Sequence, residues 1–381
     1  MRKKLCIFFI VILLFCTSPQ ISLSLEKNKI ESINQVIVQI QSSESSDHIS
    51  SLRIQSNDLL KRLEKSLSDK NRMNYSKVTY HELSDASLVI ENNKNSKKYV
   101  ISERFNLIDE DENIQIGLPN QIKRKLNIYV DMVRKKHYGE LLTWNEVKEK
   151  MPKYTKFTVI DLETGLSFKV QRRAGNKHAD VQPLTAEDSK IMKQIYNGHW
   201  SWNRRAVVIK NGHDSIAGSM NGMPHGGDGI PNNDFSGHFC IHFLGSTTHR
   251  QRNIDPSHQS MVYKAAGMWQ QYIQNATPED VIDSFFIALN QKDLFLLKTL
   301  FPHKNHEQID TFKVEMEATT KIRKLSSESQ ETEKDDLWLA IPVQAVLTTK
   351  HNKNQIVVYT FHLQKNAITN VWKIYFVTKN F

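Results

Sequence analysis

Apolar positions recur with two different periods in the first third of the chain. Polar and apolar residues alternate over 35–41, and 77–91 and 98–107 have similar composition, which predicts strands with one buried face. Leucines recur at helical spacing over 56–67, and apolar residues do the same over 119–136. Two amphipathic helices are therefore predicted beside the strands, and the segment is expected to form a small α+β domain.

The central part of the chain shows short strands joined by tight turns. Residues 156–170 contain two alternating runs around a Gly-containing turn, and 206–210 and 215–220 form a second such pair, so two hairpins are predicted. The run 238–244 is continuously apolar enough to be a buried strand. A capped helix is predicted over 185–196.

The last part begins with a sharp helix start. Thr277 is a good cap and Pro278 occupies the first helical position, so a helix is predicted from there. Strands are then predicted at 311–317, 337–348, 355–363 and 371–377. Helices followed by a meander of strands resemble the nuclear-transport-factor-like (cystatin-like) accessory domains of exported bacterial proteins.

The amino terminus is typical of a secretory signal peptide. Arg2, Lys3 and Lys4 precede an apolar run over 5–16, and small residues stand at Ser22 and Ser24. The apolar run is shorter than a membrane span needs. Cleavage after residue 24 is therefore expected, with a secreted, extracytoplasmic protein that meets the membrane only through this segment before cleavage.

Charge narrows the expected partners. The formal net charge is +10, and removal of the three basic signal residues leaves +7. An exported basic protein suits peptidoglycan or another anionic polymer of the cell envelope. The sequence contains no recognisable nucleic-acid-binding motif, so no nucleic-acid partner is expected.

Residue types that carry chemistry are concentrated in the middle of the chain. Of the 14 Gly residues, 13 lie between positions 139 and 267, and 8 of the 15 His residues lie between positions 178 and 258. Glycine permits tight turns and close backbone approach, and loops of this kind carry binding and catalytic groups. The functional site is therefore expected here.

Cys240 is the cysteine that remains after the signal peptide is removed. A lone thiol in an exported protein is a candidate nucleophile, although an inert buried cysteine is the alternative. His225 precedes it by 15 residues across a Gly-rich loop. A loop between neighbouring strands can bring such residues together, and a nearby imidazole activates a thiol.

These residues carry a family resemblance. His225 and Gly226, followed by Ser236-Gly237-His238-Phe239-Cys240-Ile241-His242, resemble the motif of the L,D-transpeptidase (YkuD-like) catalytic domain. The resemblance implies that Cys240 is the acyl-accepting nucleophile and His225 the general base, with His238 at the catalytic centre. It implies that Ser236, Gly237 and His242 shape the substrate site. Phe239 stands where the family has Gly, Gly237 separates the serine and histidine, and His242 stands where Arg is expected.

The expected architecture follows from the change in composition and pattern along the chain, together with this resemblance. The chain is expected to be an α+β multi-domain protein whose β-rich central domain is of the L,D-transpeptidase type, flanked by two small α+β domains. The expected divisions are a signal peptide, an α+β domain of unknown role, the candidate catalytic domain and an accessory domain, at 1–24, 25–137, 138–276 and 277–381.

Two residue pairs are candidates for substrate binding. Arg172 and Arg173 could hold a stem-peptide carboxylate in bidentate fashion, or they could be an ordinary strand-end pair. Trp200 and Trp202 could line a groove by stacking on sugars, or they could close a small β core.

A rival interpretation takes the same region as a metal site. His178, Asp180, His238, His242 and His249 are of the types that bind zinc, and residues around His178 resemble the ligand region of zinc D-Ala-D-Ala peptidases. Three functions therefore stay open: a cofactor-free Cys–His acyl-transfer enzyme acting on peptidoglycan, a zinc-dependent peptidoglycan peptidase, and a non-catalytic envelope-binding protein.

Overall fold

The computed structural model describes most of the chain after the predicted signal peptide, which lies outside the described residues. The described ranges are 33–68, 72–74, 83–92, 95–227, 229–248, 253–327 and 337–380. Three β-sheets and their helices form a multi-domain α+β arrangement. Within these ranges, no helix is long and apolar enough to cross a bilayer.

The first sheet has seven strands and carries two helices. Its strands lie in the order β2-β1-β4-β5-β6-β7-β3. The elements are β1 (Ile33–Gln41), β2 (Ile49–Ile54), α1 (Asn57–Ser68), β3 (Arg72–Asn74), β4 (Ala86–Asn92), β5 (Ser96–Ile101), β6 (Leu107–Asp109), β7 (Ile114–Ile116) and α2 (Asn120–His137). The leucines of α1 and the apolar stripe of α2 are buried, which confirms both predicted helices.

The central sheet closes on itself as a six-stranded barrel. The elements are α3 (Trp144–Lys150), β8 (Lys156–Asp161), β9 (Ser167–Ala174), β10 (Ala179–Pro183), α4 (Ala186–Ile195), β11 (Arg205–Asn211), β12 (Asp214–Met220) and β13 (Phe239–His242). The strand order is β10-β13-β12-β11-β8-β9, and β9 pairs with β10 to complete the ring. Phe168, Phe239 and Ile241 are among the side chains of its core.

The third sheet is a four-stranded meander that packs on helices. Its elements are α7 (Pro278–Gln291), α8 (Leu294–Thr299), α9 (Gln308–Ala318), β14 (Thr319–Ser327), β15 (Trp338–Thr349), β16 (Gln355–Lys365) and β17 (Trp372–Asn380). Phe285 and Phe286 of α7 meet Tyr359 and Phe361 of β16 edge to face. This aromatic cluster holds the helix against the inner face of the sheet.

The predicted strand at 311–317 is wrong, because this segment belongs to α9. Its residues alternate in polarity, but Phe312 and Met316 are buried together with Ile309, while Val314 is 69% exposed. Spacings of three and four residues place the buried three on one side of a helix. The alternation there was coincidental and the helical period decides the structure.

Two further helices join the three sheets. They are α5 (Pro256–Ala265) and α6 (Trp269–Gln274), and α5 packs on the outside of the barrel at β11 and β12. Buried residues of α5 and α6, including Met261 and Trp269, belong to one core with side chains from the first and third sheets. The sheets are therefore packed together by shared apolar burial.

A buried ammonium group lies where these parts meet. Lys264 of α5 is 3% exposed, and its Nζ is 2.5 Å from Glu163 Oε1 and 2.5 Å from Asp293 Oδ2. Burial alone would raise the pKa of Glu163, but the Lys264 ammonium outweighs it and the pKa is lowered. Glu163 follows β8 and Asp293 caps α8, so one side chain connects the barrel to the third sheet.

Replacing Lys264 with Met should destabilise the chain by about 3–5 kcal/mol, because the partly buried carboxylates of Glu163 and Asp293 lose the ammonium that neutralises them. Chemical denaturation at neutral pH measures the loss. Since the pKa of Glu163 is lowered, its contribution is complete above its usual pKa and should fade as the pH falls through the lowered one. Lys150→Met is the control: the side chains of Lys150 and its partner Asp214 are 41% and 37% exposed, so the loss should stay below about 1 kcal/mol. Equal losses of stability in the two variants would contradict the role of Lys264 in connecting the barrel to the third sheet.

Candidate functional site

A backbone bridge folds the Gly-rich loop between β12 and β13 back on itself. His225 N–H donates to the His238 carbonyl at 3.0 Å, and His238 N–H donates to the His225 carbonyl at 2.8 Å. Gly237 has φ +91°, and a Cβ there would lie 2.3 Å from the His225 carbonyl oxygen. The insertion of Gly237 between Ser236 and His238 is therefore what allows the two strands of the loop to approach.

The rest of the loop is anchored to β10 by buried amides. The Gln182 side chain donates to the Gly237 carbonyl at 2.5 Å and accepts from Ile230 N–H at 2.6 Å. The Asn233 side chain donates to the Pro183 carbonyl at 2.8 Å. Satisfied buried polar groups of this kind specify one loop conformation.

The loop brings His225 against Cys240 of β13. Cys240 Sγ lies 3.3 Å from His225 Nε2, and His225 Nδ1 lies 2.9 Å from the Met223 carbonyl oxygen. A carbonyl only accepts, so Nδ1 carries the proton and Nε2 presents its lone pair to the thiol. This tautomer is the one in which His225 can act as a base toward Cys240.

A carboxylate flanks the thiol on its other side. Asp180 of β10 is paired directly opposite Cys240 of β13, and its Oδ1 lies 3.9 Å from Sγ. Burial, and then the Asp180 carboxylate, raise the pKa of the Cys240 thiol. The thiol is 4% exposed, so its resting form is the neutral S–H.

His178 ties Asp180 to the adjacent loop. Its Nδ1 lies 2.8 Å from the Thr247 carbonyl oxygen and its Nε2 lies 3.2 Å from Asp180 Oδ1. His178 therefore bridges Asp180 and the Thr247 carbonyl beside the thiol.

His238 lies between His225 and Asp180. Its ring centroid is 4.6 Å from that of His225, with 61° between the planes, and its Nε2 is 3.9 Å from Asp180 Oδ1. Burial lowers the pKa of His238, although the Asp180 carboxylate opposes the shift. The structure thus brings together Cys240, His225 and His238, three residues that the sequence indicated.

His242 lies on the same face of β13 as Cys240 and belongs to a stack of imidazoles. Its ring lies 4.4 Å from His178 and 3.8 Å from His258, and His258 Nδ1 meets Ser219 Oγ at 2.8 Å. Burial and the two neighbouring histidines lower the pKa of His242 well below its usual value. His242 Nδ1 is buried with no hydrogen-bond partner among the described residues.

The tryptophans predicted to bind substrate have different surroundings. Trp202 is 49% exposed, and its ring lies 5.2 Å from that of His225 at the mouth of the site. Trp200 packs edge to face on Phe235 at 5.2 Å, against the barrel core. Ser236 is exposed on the same loop. Trp202 is thus the tryptophan in position to meet a substrate.

The two arginines are engaged with the protein. Arg172 is buried, stacks over Trp144, and donates to the carbonyl oxygens of Lys148, Met151, Ala174 and Gly175. Arg173 bonds Gln171 and stacks over Tyr154. The Arg172 guanidinium therefore has its donors committed within the fold, and neither arginine is among the groups gathered around Cys240.

Two sets of donors are close enough to hold a metal ion. His225, His238 and Cys240 form one set and His178, His242 and Cys240 the other, with ligand atoms within 4.8 Å of one another. The rings of His178 and His242 are stacked with 14° between their planes, so their in-plane lone pairs run parallel and do not converge. The first set, with Asp180 beside it, is the better fit to tetrahedral zinc. His249 lies outside the described residues.

Sequence reasoning missed His258, the Met223 carbonyl and the position of Asp180 beside the thiol. No family model matches this chain, and no curated protein matches it either. Its function is therefore inferred from the geometry of the site.

Replacing Asp180 with Asn should make Cys240 more reactive toward iodoacetamide. Loss of the carboxylate lowers the pKa of the thiol. At a fixed pH below that pKa, the alkylation rate should rise roughly tenfold for each unit by which the pKa falls. Intact-mass kinetics across pH 6 to 10 measure the rate, with thermal unfolding as a check on folding. Asp214→Asn, on the surface, should leave the rate unchanged. An unchanged or slower rate in Asp180→Asn would show that Asp180 does not raise the pKa of the Cys240 thiol.

Proposed function

We propose that the chain is an exported cell-envelope enzyme of L,D-transpeptidase type, which transfers peptidoglycan stem peptides through a cysteine acyl-enzyme. The observation that carries this proposal is the 3.3 Å contact of Cys240 Sγ with His225 Nε2, with Nδ1 held by the Met223 carbonyl. A thiol, a base and a group that orients the base are the parts that nucleophilic acyl transfer requires.

The chemistry follows from the resting protonation states. Cys240 gives its proton to His225 Nε2 as Sγ bonds the carbonyl carbon of a peptide bond. The amine of that bond leaves with the proton returned by His225, and a thioester remains. A second amine then attacks the thioester and passes its proton to His225, which returns it to the departing sulfur. Because the thiol starts neutral, His225 acts as a general base both when the thioester forms and when the second amine attacks it.

Several features support an envelope substrate. The basic charge suits an anionic polymer, and the amino terminus is typical of a signal peptide. The exposed Trp202 beside His225 gives the site an aromatic wall. The departures from the family motif have structural roles, since Phe239 fills the barrel core and His242 joins the imidazole stack.

Cys240→Ser should abolish transfer between stem peptides, and His225→Ala should reduce it by about 10²–10⁴-fold. Liquid chromatography of muropeptides incubated with the purified chain measures product, and intact mass detects the thioester. The control is His213→Ala, an exposed histidine in the turn between β11 and β12, which should retain full activity. Turnover by Cys240→Ser, or an unaffected His225→Ala, would exclude this mechanism.

A second candidate is a zinc-dependent peptidase built on the same residues. The ligand atoms of His225, His238 and Cys240 lie within 4.8 Å of one another. Catalytic zinc takes three protein ligands of these types and keeps its fourth position open for water or substrate. Zinc in this position would occupy the thiol and supply Lewis acidity in place of a nucleophile.

Zinc binding separates the two candidates. Under the zinc function, the metal-free chain should take up about one Zn²⁺ per chain, as single-site coordination by these groups requires. Uptake should be lost in His238→Ala, and Zn²⁺ should protect Cys240 from alkylation. Under the Cys–His function, a chelator should leave turnover unchanged. Activity that a chelator removes and Zn²⁺ restores would displace the first proposal.

A further inference from the structure

The third sheet carries a large cavity away from the barrel's chemistry. It has a volume of about 690 Å³ and lies between the end of α6 and the turn that joins β16 to β17. Small-molecule sites have volumes of roughly 300–1,000 Å³. We call it the third-domain groove, and it has no part in the acyl-transfer chemistry.

An exposed tryptophan forms one wall of this groove. Trp338 starts β15, on the outer face opposite to the buried Leu339 and Ile341, and it is 52% exposed. Its ring meets Tyr375 edge to face at 5.1 Å. A ring that is supported from the side by another ring, with much of its surface open to solvent, offers a flat apolar platform.

Polar groups extend from the platform across the sheet. Trp338 pairs with Gln364, and Gln364 pairs with Lys373, so the three form a row that lines the groove. The side-chain amides of Gln364 and Gln274 make no hydrogen bond within the described part of the chain. These amides can form hydrogen bonds with the hydroxyl groups of a ligand, and the neighbouring aromatic face can pack against its C–H groups. A ligand that carries both kinds of surface therefore fits this cavity.

Charge limits the choice of ligand further. Lys365 and Lys373 line the groove, and no Asp or Glu does so among the described residues. Lys373 Nζ is engaged with the Thr299 carbonyl at 2.5 Å, and burial lowers its pKa to about 8. The Lys365 ammonium lies 5.7 Å from the Trp372 ring. A groove with the Lys365 ammonium and without carboxylates accepts a polymer that is neutral or carries carboxylates.

We propose that the third-domain groove binds a short stretch of polysaccharide, with Trp338 stacked on a sugar ring and the Gln364 and Gln274 amides bonded to its polar substituents. The choice of an N-acetylated amino-sugar chain, as in peptidoglycan, rests on the function proposed above. The groove then holds the glycan strand while the barrel acts on the stem peptides.

The test measures binding to N-acetylglucosamine hexamer and to glycan strands freed of their stem peptides. Calorimetry with the full chain carrying Cys240→Ser keeps the measurement independent of turnover. Adding Trp338→Ala should weaken binding by about tenfold through loss of stacking, and Trp338→Phe should lose less because it keeps a ring. Gln364→Ala should also weaken binding.

The matched control is Ile356→Ala, an exposed residue on β16 that does not line the groove, which should bind as tightly as the parent chain. Thermal unfolding checks that Trp338→Ala is folded. Binding that Trp338→Ala leaves unchanged, or binding of stem peptides without sugar, would overturn the proposal. Trp338-dependent sugar binding in a chain whose wild type shows no transfer would keep the groove and reject the acyl-transfer function.

Discussion

The paired backbone hydrogen bonds between His225 and His238 are the constraint on which the candidate site depends. They close the loop after β12 over the first residues of β13, and so set a histidine against a cysteine 15 positions later in the chain. Gly237 makes the approach possible, since any Cβ there would collide with the His225 carbonyl. Side-chain chemistry at this site is thus a consequence of main-chain geometry.

The surroundings of the thiol define its chemistry more closely than the residue types do. A thiolate–imidazolium pair requires a site that favours negative charge at sulfur. Here burial and Asp180 act in the opposite direction on the Cys240 pKa, and His178 links that carboxylate to the Thr247 carbonyl. A neutral pair protects the sulfur from oxidation and alkylation, since both need the thiolate. In the proposed acyl transfer, the thiol then has to give up its proton as sulfur forms the new bond.

Much of the β-rich centre could be predicted, because its strands alternate in polarity and its turns contain Gly. The contact of Cys240 with His225 could also be predicted from their spacing across a Gly-rich loop. The acceptor for His225 Nδ1 could not, because a main-chain carbonyl at Met223 leaves no mark in the sequence. The stack of His242 on His258 depends on α5 packing against the barrel, and residue types alone do not encode that long-range contact. Helix α9 was missed because local alternation imitated a strand.

The closure of the barrel limits the ways in which it can bind a ligand. Each of its six strands is paired on both sides. Many proteins that handle extended peptides add them as an extra strand to an open sheet edge, where main-chain bonds supply affinity regardless of sequence. A closed ring offers no such edge. A ligand of this barrel therefore has to bind to its loops and side chains. Binding to the barrel then depends on the particular chemical groups of the ligand. The barrel does not bind unfolded chains through their main-chain groups alone.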